Sequence, residues 1–252
     1  MIRLSVIIPC YNMGEFLPDA IASVEQYKGS DIEMLIINDG STDPATLSLL
    51  KELEDKGYNV INQTNQGLAM ARNNAIAMCK GEYFLPLDAD NKIRTAYIEK
   101  GIKILDTDPA MAIVYGDAQY FGEKKGVWKS RKFDLLTLMR GNYIDACVVA
   151  RKKAWEQVKG YDKNISALAD WDFHISVAEA GWKLKYVPEV LFDYRVRNDS
   201  MIKTYNQRDE YVDHIVKKHS KLYRESFMYQ ASLKGQIRLL LRDLWWRITG
   251  RY

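Results

Sequence analysis

Residues 82–90 read EYFLPLDAD: an apolar run that closes on two carboxylates, Asp88 and Asp90. On an extended backbone, positions i and i+2 point to the same side, so both acids can face one divalent ion while Ala89 turns away. Two carboxylates leave coordination sites open for phosphate oxygens. Taken alone, D-x-D is also an ordinary solvated turn. Its context decides the fold. LSVII (4–8), MLIIND (34–39), YNVIN (58–62) and MAIVYGD (111–117) are further short apolar runs. Between them lie stretches with helical spacing, such as Leu17, Ile21 and Val24, or Leu49, Leu50 and Leu53. Strands that alternate with helices predict a parallel sheet covered on both faces. In open sheets of that kind ligands gather beyond the carboxyl ends of the strands. Asn38, Asp39, Asp88, Asp90 and Asp117 are therefore expected along one rim.

Local signals mark the elements. Asp43 is expected to cap a helix that Pro44 opens. GLAMARNNAIAMCKG reads as a helix stopped by Gly81, and a further helix is expected from about Arg94 to Leu105. After Tyr120, FGEKKGVW reads as a hairpin with glycine at both ends of a charged loop. Leu135 to Met139 is a short helix closed by Gly141, DACVVA a strand, Lys152 to Val158 a short helix, and Asp170 opens another that stops near Gly181. LKYVPEVLFDYRVR alternates as an edge strand that tolerates Pro188. Asp170 and Asp172 suit a helix N-terminus as caps, and a carboxylate there also stays ionised, as a general base must. Trp171 reads equally as core or as a ring that stacks on a sugar or base. Gly67 to Asn74 begins a helix at the same rim. Its free N–H groups and Arg72 can oppose an anionic ligand, or Arg72 can pair with a structural carboxylate.

The chain has 252 residues, 36 Lys/Arg against 33 Asp/Glu, and 47% hydrophobic residues, enough for a large core without disulfides. Cys10, Cys79 and Cys147 form an odd set without a CxxC and fit reduced thiols. Residues 200–252 hold 11 Lys/Arg against 5 Asp/Glu, while residues 1–199 hold 25 against 28. The basic surplus thus belongs to the tail, and nucleic acid is not expected as a partner. The start MIRLSVIIPC carries an apolar run too short for a signal peptide, and no run is long enough to span a bilayer. A P-loop, a GxGxxG after the first strand, a histidine-rich zinc site and a G-x-S-x-G elbow are all missing.

The segments VIIPCYNMGEFLPDAIASVEQ, INDGSTD, NQGLAMARNNAI, LDADN and ALADWDF, in that order over roughly residues 2–197, together resemble the nucleotide-sugar glycosyltransferases of family 2 with the GT-A fold. The resemblance implies a Rossmann-like, mostly parallel central sheet flanked by helices. Residues 1–117 would be the nucleotide-sugar-binding half, 118–199 the acceptor-side half of the same domain, and 200–252 a basic amphipathic helical tail. It implies that Pro9, Cys10, Tyr11 and Asn12 line the nucleotide pocket, with Gly67 and Arg72 beside them, and that Asp39 accepts from the base. Asp88 would contact ribose or metal, and Asp90 would ligate Mn²⁺ or Mg²⁺ on the diphosphate. Asp170 matches the catalytic base, although the usual preceding Glu is Ala169. Tyr194-Arg195 matches a family pattern often followed by a histidine that is here replaced, so that Arg197 or Asn198 meets the diphosphate. Asp117, Trp171 and Asp172 are expected to recognise acceptor or sugar.

The expected activity is inverting, metal-dependent transfer of a hexose or N-acetylhexosamine from a nucleotide sugar, UDP-linked, to a saccharide hydroxyl in cell-surface polysaccharide synthesis. The alternatives are transfer to polyprenyl phosphate, whose ionised oxygen needs no base, and noncatalytic nucleotide-sugar binding. Expected partners are the donor, a saccharide or lipid-linked saccharide acceptor, an anionic membrane surface and a second copy of the chain. In the tail, Ile237, Leu240, Leu241, Leu244, Trp245 and Ile248 share a face opposite Lys234, Arg238, Arg242 and Arg247. Such a helix lies on a membrane or packs on protein. The first reading puts the protein in the cytoplasm, at the cytosolic face of the cell membrane.

Overall fold

The structure is a computed structural model, which describes residues 1–165, 167–198 and 208–231. It falls into two compact units, Met1–Arg208 and Asp209–Tyr252. The first opens with β1 (Leu4–Cys10), α1 (Leu17–Glu25), β2 (Ile32–Asp39), α2 (Pro44–Asp55), β3 (Asn59–Gln63), α3 (Leu68–Met78) and β4 (Tyr83–Pro86). It continues through β5 (Lys92–Ile93), α4 (Thr95–Thr107), β6 (Met111–Gly122), β7 (Gly126–Trp128), α5 (Leu135–Arg140), β8 (Val149–Arg151), α6 (Lys152–Gln157), α7 (Ala169–Glu179) and β9 (Lys183–Val196). One sheet runs β3-β2-β1-β4-β8-β6-β9-β5, with β7 paired to β6. The second unit contains most of α8 (Arg208–Lys218), which starts at the boundary, and α9 (Ser220–Ala231). The amphipathic segment expected around 234–248 lies outside the described residues.

Strands β3, β2, β1 and β4 are mutually parallel. All seven residues of β1 are buried, as a strand covered on both faces requires. Leu4, Val6, Ile8 and Cys10 alternate into a core shared with Leu17, Ala20, Ile21 and Val24 of α1 and with Tyr97, Ile98, Ile102 and Leu105 of α4. Asp43 caps α2 by accepting from the Thr46 N–H at 2.7 Å, with Pro44 in its first turn. The sheet becomes mixed where β8 enters antiparallel to both β4 and β6. The β6–β7 hairpin forms as read, with left-handed Gly122 (φ 81°) and Gly126 (φ 108°) at the two ends of its loop. Cys10, Cys79 and Cys147 are buried free thiols.

Four readings need correction. Helix α3 ends at Cys79, whose ψ of 135° leaves the helical region two residues before Gly81. Gly81 is instead a packing glycine, since a Cβ there would stand 2.8 Å from the Ser5 backbone nitrogen. The run MAIVYGD does not end at its acid: β6 continues to Gly122, because β9 pairs parallel with it along nearly its whole length. β9 is accordingly an edge only in part, for Lys92 and Ile93 of β5 close its far side at Asp193 and Phe192. Pro188 falls in the register break between Val187 and Val190, where it costs no ladder bond. Finally, α7 starts with Leu168 at its cap position and no side-chain cap, so Asp170 and Asp172 lie within its first turn and do not cap it.

Candidate active site

A cleft of about 420 Å³ opens at the carboxyl ends of β1, β2 and β4. Pro9, Cys10 and Tyr11 form its β1 side. The chain then reverses through Asn12 at φ 53°, in the left-handed region that asparagine tolerates better than most side chains. Asn12 does not line the cleft. Its Oδ1 accepts from the N–H groups of Thr42 (2.7 Å) and Asp43 (2.9 Å), and its own N–H donates to Ser41 Oγ (3.1 Å). The β1 loop is thereby tied to the turn after β2. Asp39, at the end of β2, is buried and lines the cleft. Its carboxylate accepts from Gln63 Nε2 (2.7 Å), Gln66 N (2.9 Å) and Gly67 N (3.0 Å), which shapes the loop that opens α3. Gly67 occupies the α3 cap position at φ 82°, where a side chain would be strained, and it lines the cleft with Leu68.

Asp88 and Asp170 face one cation, Arg72, and Asp90 faces another, Arg197. Arg72, on α3 and 3% exposed, donates through Nη2 to Asp88 Oδ1 at 2.6 Å, with its guanidinium 5.7 Å from the Tyr161 ring. Burial works against its charge, but Asp88, Tyr161 and Asp170 outweigh that and strengthen its hold on the proton. Asp90 is pushed up to about 6 by burial and then by the neighbouring Asp88 charge, with Arg197 opposing. Arg197 Nε stands 3.4 Å from Asp90 Oδ2. Asp170 enters from the first turn of α7 and accepts from Asn142 Nδ2 at 2.7 Å. Burial raises its proton affinity and Arg72 pulls it back down.

A further acid was not legible as a site residue. Asp145 lines the cleft, and its Oδ1 accepts from the Cys147 N–H at 2.8 Å. Burial, then the charge of Asp88, pushes it up to about 7. It precedes β8, and an antiparallel strand brings its beginning to the rim where parallel strands end. The rule that looks for acids after strands passes over it.

The remaining expected residues divide. Arg195 lines the cleft, but its guanidinium is engaged: Nε donates to the Asp90 carbonyl (3.0 Å) and Nη2 to Asp19 (2.7 Å). It braces the Asp88–Asn91 turn, as does the Arg195 N–H on Asn91 Oδ1 at 2.9 Å. Asp117, expected on the rim, is not among the lining residues. It is buried in mid-strand, where it accepts from Ser130 N (2.9 Å) and Tyr186 OH (2.7 Å). Trp171 and Asp172 are buried away from the cleft, and the Trp171 indole donates to the Leu138 carbonyl at 2.6 Å. Among the described residues no group of three or more His, Cys, Asp or Glu side chains is arranged to hold a metal ion.

The family model for glycosyl transferase family 2 matches residues 5–173, a span that contains Asp39, Arg72, Asp88, Asp90, Asp145 and Asp170. The chain belongs to glycosyl transferase family 2. Its curated relatives include a chondroitin synthase of Escherichia coli, 25% identical over 197 residues, and a hyaluronan synthase of Pasteurella multocida, 25% identical over 206 residues. The alignments cover 75% and 78% of this chain but only 28% and 21% of those synthases, so the chain spans about a quarter of their length. Among solved structures, Staphylococcus aureus TarS 1–349 in complex with UDP-GlcNAc superposes with a TM-score of 0.71 at 15% identity, over 92% of this chain and 68% of that one. The mannosyltransferase PcManGT of Pyrobaculum calidifontis, in complex with GDP-Man and Mn²⁺, gives 0.65 at 20% identity, over 88% and 64%. At these identities the structures establish the shared GT-A fold.

Proposed function

We propose that this family 2 glycosyltransferase moves a hexose or N-acetylhexosamine from a UDP-linked donor to a hydroxyl of a saccharide acceptor, lipid-linked, in cell-surface polysaccharide synthesis, with inversion at the anomeric carbon. The observation that carries the reading is the meeting of Asp88, Asp145 and Asp170 around the buried Arg72, with Asp90 beside Asp88, in one cleft at the strand ends. In this reading Asp39 and the β1 loop hold the base, and Arg72 and Arg197 face the diphosphate. Asp170 takes the proton of the acceptor hydroxyl as its oxygen bonds to the anomeric carbon and the bond from that carbon to the phosphate oxygen breaks. A half-buried carboxylate with raised proton affinity is a stronger base than a free one, and Arg72 beside it favours the ionised form. An acceptor hydroxyl needs that base, whereas a polyprenyl phosphate would not.

Asp88 and Asp90 fit a divalent cation, Mn²⁺ or Mg²⁺. Burial and then the Asp88 charge raise the proton affinity of Asp90, a cost that a cation would relieve, and two protein ligands leave room for phosphate oxygens. When bound, the cation would neutralise charge on the departing diphosphate. The amphipathic tail supports a peripheral position at the cytosolic face of the membrane. The deciding experiment is a donor panel of UDP- and GDP-sugars, run with Mn²⁺, Mg²⁺ or chelator, with linkage analysis of the product. Expected is transfer from one UDP-sugar that chelator stops and that inverts the anomeric configuration. A retained configuration, or nucleotide binding without transfer to any saccharide, would sink the reading.

A further inference from the structure

The β6–β7 hairpin and the strand exit after it, residues 123–132, read EKKGVWKSRK: five cations, Lys124, Lys125, Lys129, Arg131 and Lys132, against the single acid Glu123. This local surplus stands out in a body that carries no basic surplus of its own. Lys124, Lys125, Lys129 and Lys132 are all exposed. The Lys124 ammonium lies 4.1 Å from the Tyr120 ring centroid, while Lys125, Lys129 and Lys132 form no ion pair among the described residues. Five cations clustered with a single acid among them create a local positive potential that attracts polyanions.

The patch connects to the cleft through aromatic rings. Tyr120 and Trp128 lie parallel, 4° apart in plane and 6.4 Å between centroids. Trp128 meets Tyr194 edge-on at 5.8 Å, and Tyr194 lines the cleft. On the next position of β6, Phe121 carries the cleft-lining Arg195 over its ring at 4.4 Å. The hairpin thus leads into the site as a basic surface ending in stacked rings, the combination that holds a charged chain by its anions and its ring faces at once. A membrane fits less well, because Val127 is the one large apolar side chain of the hairpin exposed to solvent.

We propose that this hairpin is the acceptor-docking surface and that the acceptor is an anionic glycan, its growing end delivered to the cleft past Tyr194. The proposal rests on the transferase reading above and adds the acceptor's chemical class.

Calorimetric titration of the full chain with oligogalacturonate, and with dextran oligosaccharide of equal length as the neutral match, tests it. The protein should bind the anionic chain roughly tenfold or more tightly, with an advantage that shrinks as salt rises. Lys125→Glu with Lys129→Glu and Lys132→Glu should remove that advantage. Lys103→Glu with Lys153→Glu, two charge reversals on other exposed surfaces, should leave it within about twofold. Equal affinity for the two glycans would overturn the proposal. So would an unaffected triple variant, or a control pair that loses as much. A triple variant that loses sedimentation with phosphatidylserine vesicles yet still binds oligogalacturonate would assign the hairpin to membrane instead. UDP and GDP titrations run in parallel separate the two readings: absent nucleotide binding defeats the transferase reading, whereas intact nucleotide binding without anion preference defeats the hairpin proposal alone.

Discussion

Arg72 ties two roles together, because one buried guanidinium bonds to Asp88 and favours the charge on Asp170. Asp170→Asn keeps the shape of the side chain and removes the proposed base. The turnover number should fall by about 10² to 10⁴ with donor affinity within a few-fold, read from single-turnover rates beside nucleotide calorimetry. Full activity would move the base elsewhere, with Asp145 the first alternative in the cleft. A second residue-scale prediction concerns His174. It is completely buried, and neither ring nitrogen has a hydrogen-bond partner among the described residues. Burial, then Arg72, lowers its pKa from 6.5 to about 3. The unfolded chain therefore binds the extra proton between those values, so the stability contributed by neutral His174 is complete above about pH 6.5 and declines as pH falls toward 3. His174→Leu should remove this dependence. Between pH 7 and pH 5 the parent should lose on the order of 2 kcal/mol more than the variant in urea unfolding, and equal losses would refute the assignment. Nothing in the spacing of Phe173, Val177 and Ala180 marks this histidine as orphaned. Its surroundings come from other elements.

At the scale of elements, Gly101 sets how closely α4 lies on the sheet. A Cβ there would stand 2.5 Å from Val149 Cγ2 and 2.7 Å from Val149 Cβ, the latter fixed to a buried strand. Alanine gains up to about 1 kcal/mol of helix propensity, but overpacking against a β-branched neighbour costs about 1–3 kcal/mol. The packing term wins, and Gly101→Ala should lower stability by roughly 1–2 kcal/mol, seen as an earlier denaturation midpoint at unchanged slope. A stabilised variant would show that the helix can shift outward freely. The same scale explains which elements were readable. β1, β2 and α2 follow from apolar runs, Asp43 and Pro44, since strand burial and capping are local. The length of β6 was not, because the partner that extends it past Asp117, β9, lies some 70 residues on, on the order of a sequence separation no local signal spans.

For the whole molecule, no described helix is long and apolar enough to cross a membrane. The proposed peripheral attachment rests on the sequence pattern of residues 234–248, which lie outside the described residues. Truncation after Ser232 should reduce sedimentation with anionic vesicles and turnover of a long-chain lipid acceptor, while a short soluble acceptor is still used. Equal vesicle binding with and without the segment would reject membrane capture, and loss of the folded catalytic unit would favour packing on protein. The sequence by itself determined the class of fold, the acids at the ends of β2 and β4, and the family, because hydrophobic period, capping and short motifs are properties of neighbouring residues. Only the tertiary structure decided which acids share a cleft. Asp117 sits at a strand position that looked equivalent to Asp39, yet Tyr186 and Ser130 enclose it. Asp145 carries no signal in its own segment, yet an antiparallel strand delivers it beside Asp88 and Asp170. The physical reason is that strand direction and pairing partner are fixed by burial across the whole sheet, and a side chain's chemistry follows from what that packing sets against it.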